Sequence, residues 1–314
     1  MVRPGFIARV LLVVTLLASG LAYAQVKPNQ LLVFISAVDA SGAPVTDLKP
    51  EEIAMTEDGA PGKVVSLDKH QLPIKLTLAI DNGKDTTQAL SSLRTGLTGL
   101  VEALPADVEV TVVTMSQPQT VVRPTTDRAL ITQGISRFGP DSRAVAKFSE
   151  TLVEYAERVD KDFKDKKTTP YSPVLVLVST STPELETVEP DTINKALNTL
   201  LSRGARVSVM MFNTTPTNTN AVANMTQGRQ ALISAPIVKA SRGKFEALVQ
   251  FNRLETVLPA WGKEIAASHT KQANQWRAVI DRPNGNTGAL NKPGLRITRP
   301  GVNGIVSPDG KFID

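Results

Sequence analysis

The sequence contains no cysteine and only two histidines, and these shortages exclude several kinds of chemistry. Without cysteine there are no disulfides, no thiolate metal sites and no cysteine nucleophile. His70 and His269 lie outside any His-Glu-x-x-His pattern, and no Gly-x-Ser-x-Gly elbow is present. The sequence therefore indicates neither a zinc site nor a hydrolytic triad, and we expect both histidines to be surface residues.

Phosphate-binding loops and long apolar runs are also missing. No Gly-x-Gly-x-x-Gly follows a strand pattern and no Walker-type loop occurs, so a nucleotide site has no support. After residue 24, no segment approaches the roughly 18 continuous apolar residues of a spanning helix, and we expect no membrane span in the mature chain. The net charge is +5, or +3 without Arg3 and Arg9, which is too small an excess to indicate nucleic acid as a partner.

Residues 1–24 have the pattern of a secretory signal peptide. A basic start precedes the apolar run Val10–Leu17, and Ala22-Tyr23-Ala24 is a small-x-small cleavage site. We expect this segment to be removed and the mature protein to be secreted or periplasmic.

The pattern of the remaining chain changes twice. Residues 25–70 combine short strand patterns with turn residues, which predicts an N-terminal β segment. Residues 71–272 alternate strands with helices, the signature of a parallel sheet covered on both faces. Residues 273–314 contain two alternating strand patterns, a C-terminal β tail that we expect to add antiparallel pairing at an edge. The fold class predicted is α/β and Rossmann-like.

The central region, 71–272, contains five strand patterns, namely Ile74–Ile80, Val108–Met115, Pro173–Ser179, Val207–Phe212 and Phe245–Val249. Pro173–Ser179 is the most hydrophobic of them, and we expect it to be central in the sheet. A turn-rich passage after Met115 leads to a helix predicted from about Arg143 to Val159.

The most informative segment is Asp81-Asn82-Gly83-Lys84-Asp85, which follows the strand Ile74–Ile80 directly. Open α/β sheets bind their ligands at the carboxyl ends of the strands. Hydroxyl residues also follow the most hydrophobic strand, as Ser179-Thr180-Ser181. We therefore expect a ligand surface formed by Asn82, Gly83, Lys84, Thr180 and Ser181.

This segment resembles the Asp-x-Ser-x-Ser motif that begins the metal-ion-dependent adhesion site of von Willebrand factor A domains. The element order of nearly the whole mature chain is similar to that of exported bacterial proteins called VWFA-related. In the family, a Thr from a later loop and an Asp after the central strand complete the site. The matching positions here offer Asp141 or Ser142 in the first loop and Thr180 in the second. The resemblance implies a von Willebrand factor A fold and a non-enzymatic role in protein–protein or matrix adhesion.

Two interpretations of the altered motif stay open. Asp81, Asp85 and Ser142 could form a relocated site for Mg²⁺ or another divalent cation, since Mg²⁺ accepts one or two carboxylates together with several waters. Alternatively, Asp85 is the N-cap of the following helix with Gln88 as its capping partner, and hydrogen bonds hold the site without metal. No other cofactor and no catalytic residue is indicated.

The function favoured by the sequence is that of an exported binding or adhesion protein whose partner is an unknown protein or a component of the envelope or the extracellular space. A structural scaffold or assembly subunit with an inert metal site is the alternative. A hydrolase on a related α/β sheet is a remote third, because no catalytic constellation supports it.

Overall fold

The structure is a computed structural model that describes residues 27–70, 72–116, 119–141, 147–165, 168–169, 171–182, 184, 188–213 and 229–307. Its strands are β1 (Gln30–Val38), β2 (Ile53–Glu57), β3 (Ala60–Pro61), β4 (Lys63–His70), β5 (Ile74–Ile80), β6 (Glu109–Thr114), β7 (Gln119–Thr125), β8 (Ser172–Thr180), β9 (Arg206–Phe212), β10 (Phe245–Leu248), β11 (Gln275–Asp281), β12 (Pro293–Ile297) and β13 (Asn303–Ser307). Its α-helices are α1 (Leu90–Glu102), α2 (Arg128–Arg137), α3 (Phe148–Lys164), α4 (Pro190–Ser202), α5 (Arg229–Ala240) and α6 (Leu254–Ala273). The predicted signal peptide lies outside the described residues.

The largest sheet has six strands in the order β10-β9-β8-β5-β6-β7. Its strands run parallel except β7, which pairs antiparallel with β6 at one edge. Every residue of β8 is buried, as a strand covered by helices on both faces requires. The predicted α/β class, with a mostly parallel sheet flanked by helices, is confirmed.

Helices cover the two faces of this sheet with separate cores. Side chains of α1, α2 and α6 pack on one face, and those of α3, α4 and α5 pack on the other. Two glycines let α1 and α6 approach closely. A Cβ atom at Gly96 would collide with the Leu254 carbonyl, and one at Gly262 would collide with the Leu100 carbonyl.

The N-terminal and C-terminal strands pair with each other. One antiparallel sheet has the order β13-β1-β11-β4, and a smaller one has the order β12-β2-β3. Their shared core includes Ile35, Met55, Trp276 and Ile280. The antiparallel pairing predicted for the tail is found, but its partners are the N-terminal strands and not the parallel sheet.

The turn-rich passage after Met115 contains β7 and α2, two elements that the sequence patterns did not indicate. Asp127 is the N-cap of α2, and its Oδ1 accepts hydrogen bonds from the backbone N–H groups of Ala129 (2.9 Å) and Leu130 (3.2 Å). The helix predicted from Arg143 begins at Phe148 in the described chain, and residues 142–146 lie outside it. None of the described helices combines the length and the apolar character needed to cross a bilayer.

Candidate functional site

Asp81 lies at the carboxyl end of β5, and only 1% of its surface is exposed. Its Oδ1 accepts a hydrogen bond from the Gly83 N–H (2.8 Å). Its Oδ2 accepts one from the Thr180 N–H (3.0 Å) and one from the Thr180 hydroxyl (2.6 Å). Three neutral donors, and no cation among them, therefore hold this buried carboxylate.

Burial raises the pKa of the Asp81 carboxyl above its ordinary value, because low-dielectric surroundings disfavour the charged form. The hydrogen bonds from Thr180 and Gly83 act in the opposite direction, and the nearby Asp85 charge adds to the increase. The group is therefore sensitive to any change in its donors.

Thr180 stands at the end of β8, where the family has its second acidic residue, and it is 2% exposed. Its hydroxyl and its backbone N–H both donate to Asp81, and the Asp81 N–H donates to the Val178 carbonyl (2.8 Å). Thr180 therefore stands at the position of the family's acid and binds Asp81 by hydrogen bonds instead. The hydroxyl joins the ends of two neighbouring strands where a second carboxylate would repel the first.

Asp85 is not a helix N-cap, so that interpretation was wrong. The chain enters a 3-10 helix, Lys84–Ala89, whose N-cap is Gly83, and Asp85 lies within its first turn. The Asp85 Oδ2 instead accepts a hydrogen bond from the hydroxyl of Thr182 (2.8 Å). Gln88, the predicted capping partner, is exposed. Asp85 therefore ties the loop after β5 to the loop after β8.

Asn82 connects the loop after β5 to two further segments. Its Nδ2 donates to the Gly139 carbonyl (3.2 Å), and its Oδ1 accepts from the Ser116 N–H (3.2 Å). Its backbone carbonyl accepts from the Asp141 N–H (2.6 Å), and Gly83 forms a parallel bridge with Asp141. The predicted ligand-surface residue Asn82 is buried, with its amide occupied in these bonds, whereas Lys84 is exposed.

Glu184 is a residue at this edge that the sequence did not reveal. Its carboxylate accepts hydrogen bonds from the Ser149 N–H (2.8 Å) and the Ser149 hydroxyl, at the start of α3. Its Oε1 lies 3.8 Å from the Arg229 Nε at the start of α5. Glu184 lies in a loop distant in sequence from α3 and caps the start of that helix, so no local spacing pattern predicts the contact.

The structure brings Asp81 and Asp85 to the same edge of the sheet, while Ser142 lies outside the described residues. Within the described ranges, no group of three or more His, Asp or Glu side chains could hold a metal ion. Both Asp81 oxygens already accept hydrogen bonds, and Thr180 brings no charge. These donors fit a hydrogen-bonded network rather than the family's metal centre. The cation site of Asp81, Asp85 and Ser142 stays a prediction.

The histidines lie elsewhere. His70 ends β4 and contacts the Phe34 ring (4.7 Å between ring centroids), and the His269 Nε2 lies 2.9 Å from the Asp107 Oδ2. Both are partly exposed, and neither belongs to a potential metal-binding group within the described residues.

No protein-family model and no curated protein sequence matches the chain. Solved structures do resemble it. BatB from Bacteroides thetaiotaomicron is 13% identical with a TM-score of 0.46, over 63% of this chain and 99% of that one. A von Willebrand factor type A protein from Catenulispora acidiphila is 8% identical with a TM-score of 0.48, over 88% of this chain and 72% of that one.

Proximal thread matrix protein 1 from the mussel byssus, solved with zinc in its metal-ion-dependent adhesion site, is a third similar structure. It is 10% identical with a TM-score of 0.43, over 68% of this chain and about half (48%) of that one. These likenesses concern the fold alone. The Rossmann-like α/β architecture that the sequence predicted is present in this chain as a mostly parallel six-stranded sheet with helices on both faces.

Proposed function

We propose that this chain is an exported, non-enzymatic binding protein that recognises a protein partner through the carboxyl edge of its six-stranded sheet. The observation that carries the proposal is the set of hydrogen bonds between loops at this edge, which are Asp81–Thr180, Asp85–Thr182 and Asn82–Asp141. A surface held in one conformation before binding loses less conformational entropy when a partner docks. Exposed Lys84 projects from this fixed framework.

A binding role is supported over a catalytic one by what surrounds the two carboxylates. Asp81 and Asp85 each accept a hydrogen bond from a threonine hydroxyl, and neither histidine lies at this edge to serve as a general base. His269 contacts Asp107, which precedes β6 and lies at the opposite edge of the sheet. Export rests on the signal-peptide pattern of residues 1–24.

We propose further that partner binding needs no divalent cation. Three neutral donors already satisfy Asp81, so the loops keep their positions without metal. In the second candidate function, that of a scaffold, contact runs through a sheet edge instead. The strand β4 favours it, because β4 is an edge strand and carries Val65 with 51% of its surface exposed.

Capture from the native cell envelope tests this proposal. The mature chain is immobilised, and the retained proteins are identified by mass spectrometry with and without EDTA. Lys84→Glu reverses one exposed charge at the proposed surface, and Lys263→Glu makes the same change on the exposed side of α6.

We expect one partner to be retained in EDTA, lost with Lys84→Glu and kept with Lys263→Glu. Capture that EDTA abolishes would instead support the cation site of Asp81, Asp85 and Ser142. Capture that survives Lys84→Glu and is lost with Val65→Lys would contradict the proposed surface and support the scaffold.

A further inference from the structure

A polar cavity lies on one face of the six-stranded sheet, between α3 and the edge strand β7. Its volume is about 440 Å³, and a smaller cavity of about 90 Å³ adjoins it. Both are lined by Thr77, Thr120, Tyr155 and Arg158. The helix α2 packs on the opposite face of β6 and β7, so this face of the two strands stays open along the cavity.

The floor of the cavity is built from threonines on neighbouring strands. Thr77 of β5 and Thr111 of β6 are register partners in the parallel ladder, so their side chains stand next to each other on the same face. Thr77 is 6% exposed and Thr111 is 8% exposed. The Arg158 Nη2 reaches the Thr77 hydroxyl from α3 at 3.4 Å.

Two residues that line the cavity, Tyr155 and Thr111, have hydroxyls with no hydrogen-bond partner among the described residues. Tyr155 is 4% exposed, and its ring is contacted by the Arg158 guanidinium (5.3 Å to the ring centroid), but its hydroxyl bonds to no described group. Thr111 is 8% exposed and also lines the cavity, and its hydroxyl likewise bonds to no described group. Both hydroxyls line the cavity, so each is free to exchange hydrogen bonds with a molecule that enters it.

The charges around the two cavities balance. Three cations and three anions line them among the described residues, namely Lys75, Arg123, Arg158, Glu109, Glu154 and Asp162. Lys75 lies 3.5 Å from Glu109, and Tyr171 donates a hydrogen bond to Asp162 (2.9 Å). Balanced charge gives no net attraction for an anion or a cation, whereas many donors and acceptors favour a neutral ligand rich in hydroxyl groups.

We propose that this cavity binds a small neutral saccharide, whose hydroxyls pair with Thr111, Tyr155 and Arg158. A volume of about 300–1,000 Å³ is usual for small-molecule sites, and this cavity lies within that range. The cavity is separate from the carboxyl edge of the sheet, so a saccharide and a protein partner can bind at the same time.

Saturation-transfer difference NMR on the mature chain tests this inference with six neutral probes, which are glucose, galactose, mannose, N-acetylglucosamine, cellobiose and N,N′-diacetylchitobiose. Glucuronate and inorganic phosphate are the anionic probes. We expect at least one neutral probe to bind with a Kd in the millimolar range. Tyr155→Phe and Thr111→Val should each weaken it about three- to tenfold, because each removes one hydrogen bond to a neutral group.

Thr56→Val is the matched control, since Thr56 lies on β2 outside the cavity and loses the same hydroxyl. Thermal unfolding in buffer without saccharide separates a structural role from a binding role. A hydroxyl without a protein partner predicts that Tyr155→Phe keeps or raises the Tm while it weakens binding.

Three results would overturn the inference. They are the absence of signal from all six neutral probes, binding that neither cavity variant weakens relative to Thr56→Val, and tighter binding of either anionic probe than of any neutral one.

Discussion

The two best-buried carboxylates outside helix caps, Asp81 and Glu57, are held in opposite ways. Asp81 in the α/β region accepts hydrogen bonds from neutral groups only, whereas Glu57 in the β region is paired with a guanidinium. Glu57 is 3% exposed; its Oε2 accepts from the Arg282 Nε (2.9 Å), and its Oε1 accepts from the Arg282 Nη2. Glu57 therefore holds two parts of the β region together, whereas Asp81 lies at the edge that is proposed to bind a partner.

The pKa values of the two groups follow this difference. The hydrogen bonds from Arg282 hold the pKa of the Glu57 carboxyl below its ordinary value, while burial raises the pKa of Asp81. The same guanidinium also donates to the carbonyls of Gly288 (2.6 Å) and Ala289 (3.2 Å). Arg282 thereby fixes the segment between β11 and β12. Asp81 has only neutral donors, so its negative charge costs free energy in the buried site.

The largest loss of stability is expected from Arg282→Met, which keeps much of the side-chain volume and removes the charge. It leaves the buried Glu57 carboxylate without its partner and deprives two carbonyls of a donor. Thermal unfolding at pH 7 should show a greater fall in Tm than Thr180→Asp, Thr180→Val or Thr182→Val produces. The control is Arg296→Met on the exposed side of β12, and an equal fall for both would remove the special role of the Glu57–Arg282 pair.

A large effect is also expected from Thr180→Asp, which places a second carboxylate beside Asp81. Two buried like charges without a cation should cost about 3 kcal/mol of unfolding free energy in EDTA. Adding MgCl₂ should recover part of that loss in the variant and leave the wild-type Tm unchanged, because only the variant has the missing acid. If MgCl₂ changed the Tm of both proteins equally, the Thr180 hydroxyl would not be the reason that the wild-type site does without a cation.

A smaller loss is expected from Thr180→Val, which removes one donor and leaves a β-branched side chain of similar shape. The buried Asp81 carboxylate then lacks one of its three hydrogen bonds, at a cost of about 1–3 kcal/mol by urea unfolding. Thr182→Val removes the corresponding hydroxyl from Asp85, which is only half-buried, and should cost less than about 1 kcal/mol. A larger loss for Thr182→Val than for Thr180→Val would show that the Asp85–Thr182 hydrogen bond contributes more to the stability of this edge than the Asp81–Thr180 bond.

The smallest effects are the pH slopes, which should have opposite signs for the two carboxylates. Because the folded-state pKa of Asp81 is raised, its contribution is complete below its ordinary value of 3.8 and is lost as pH rises through the folded pKa. Because that of Glu57 is lowered, its contribution is present above its ordinary value of 4.5 and is lost as pH falls through the folded pKa.

Urea unfolding between about pH 3 and 7 checks these signs. The stability difference between wild type and Asp81→Asn should shrink as pH rises, and that between wild type and Glu57→Gln should grow. If the two stability differences changed with pH in the same direction, the folded-state pKa values of Asp81 and Glu57 would not be shifted in opposite directions.

Local sequence patterns predicted the parts of the site that are local in the chain. The strand β5 has the predicted bounds, Ile74–Ile80, and the Asp81 segment follows it at the carboxyl edge. The hydrophobic runs made both strand ends recognisable, and the resemblance to von Willebrand factor A domains implied that Thr180 replaces an acid there. Periodicity and spacing carry that much information because they act over a few residues.

The parts of the fold and the site that local patterns did not predict depend on contacts between residues distant in sequence. Glu57 and Arg282 are 225 positions apart, and β1 pairs with β11 across an even longer separation. Asp85 had the local pattern of an N-cap, but the hydroxyl of Thr182, 97 positions away, binds its side chain instead. Tertiary contacts overrode local preferences at such positions, and local sequence patterns do not show which distant residues meet.

The most direct test of the central claim, that neutral donors alone hold Asp81, is a ¹³C NMR titration of the side-chain carboxyl groups in EDTA. Asp81→Asn and Glu57→Gln assign the two signals. The account predicts an Asp81 pKa above 3.8 and a Glu57 pKa below 4.5 in the same folded protein. An Asp81 pKa at or below 3.8 would contradict it, since stabilisation of the charged carboxylate would then outweigh the effect of burial.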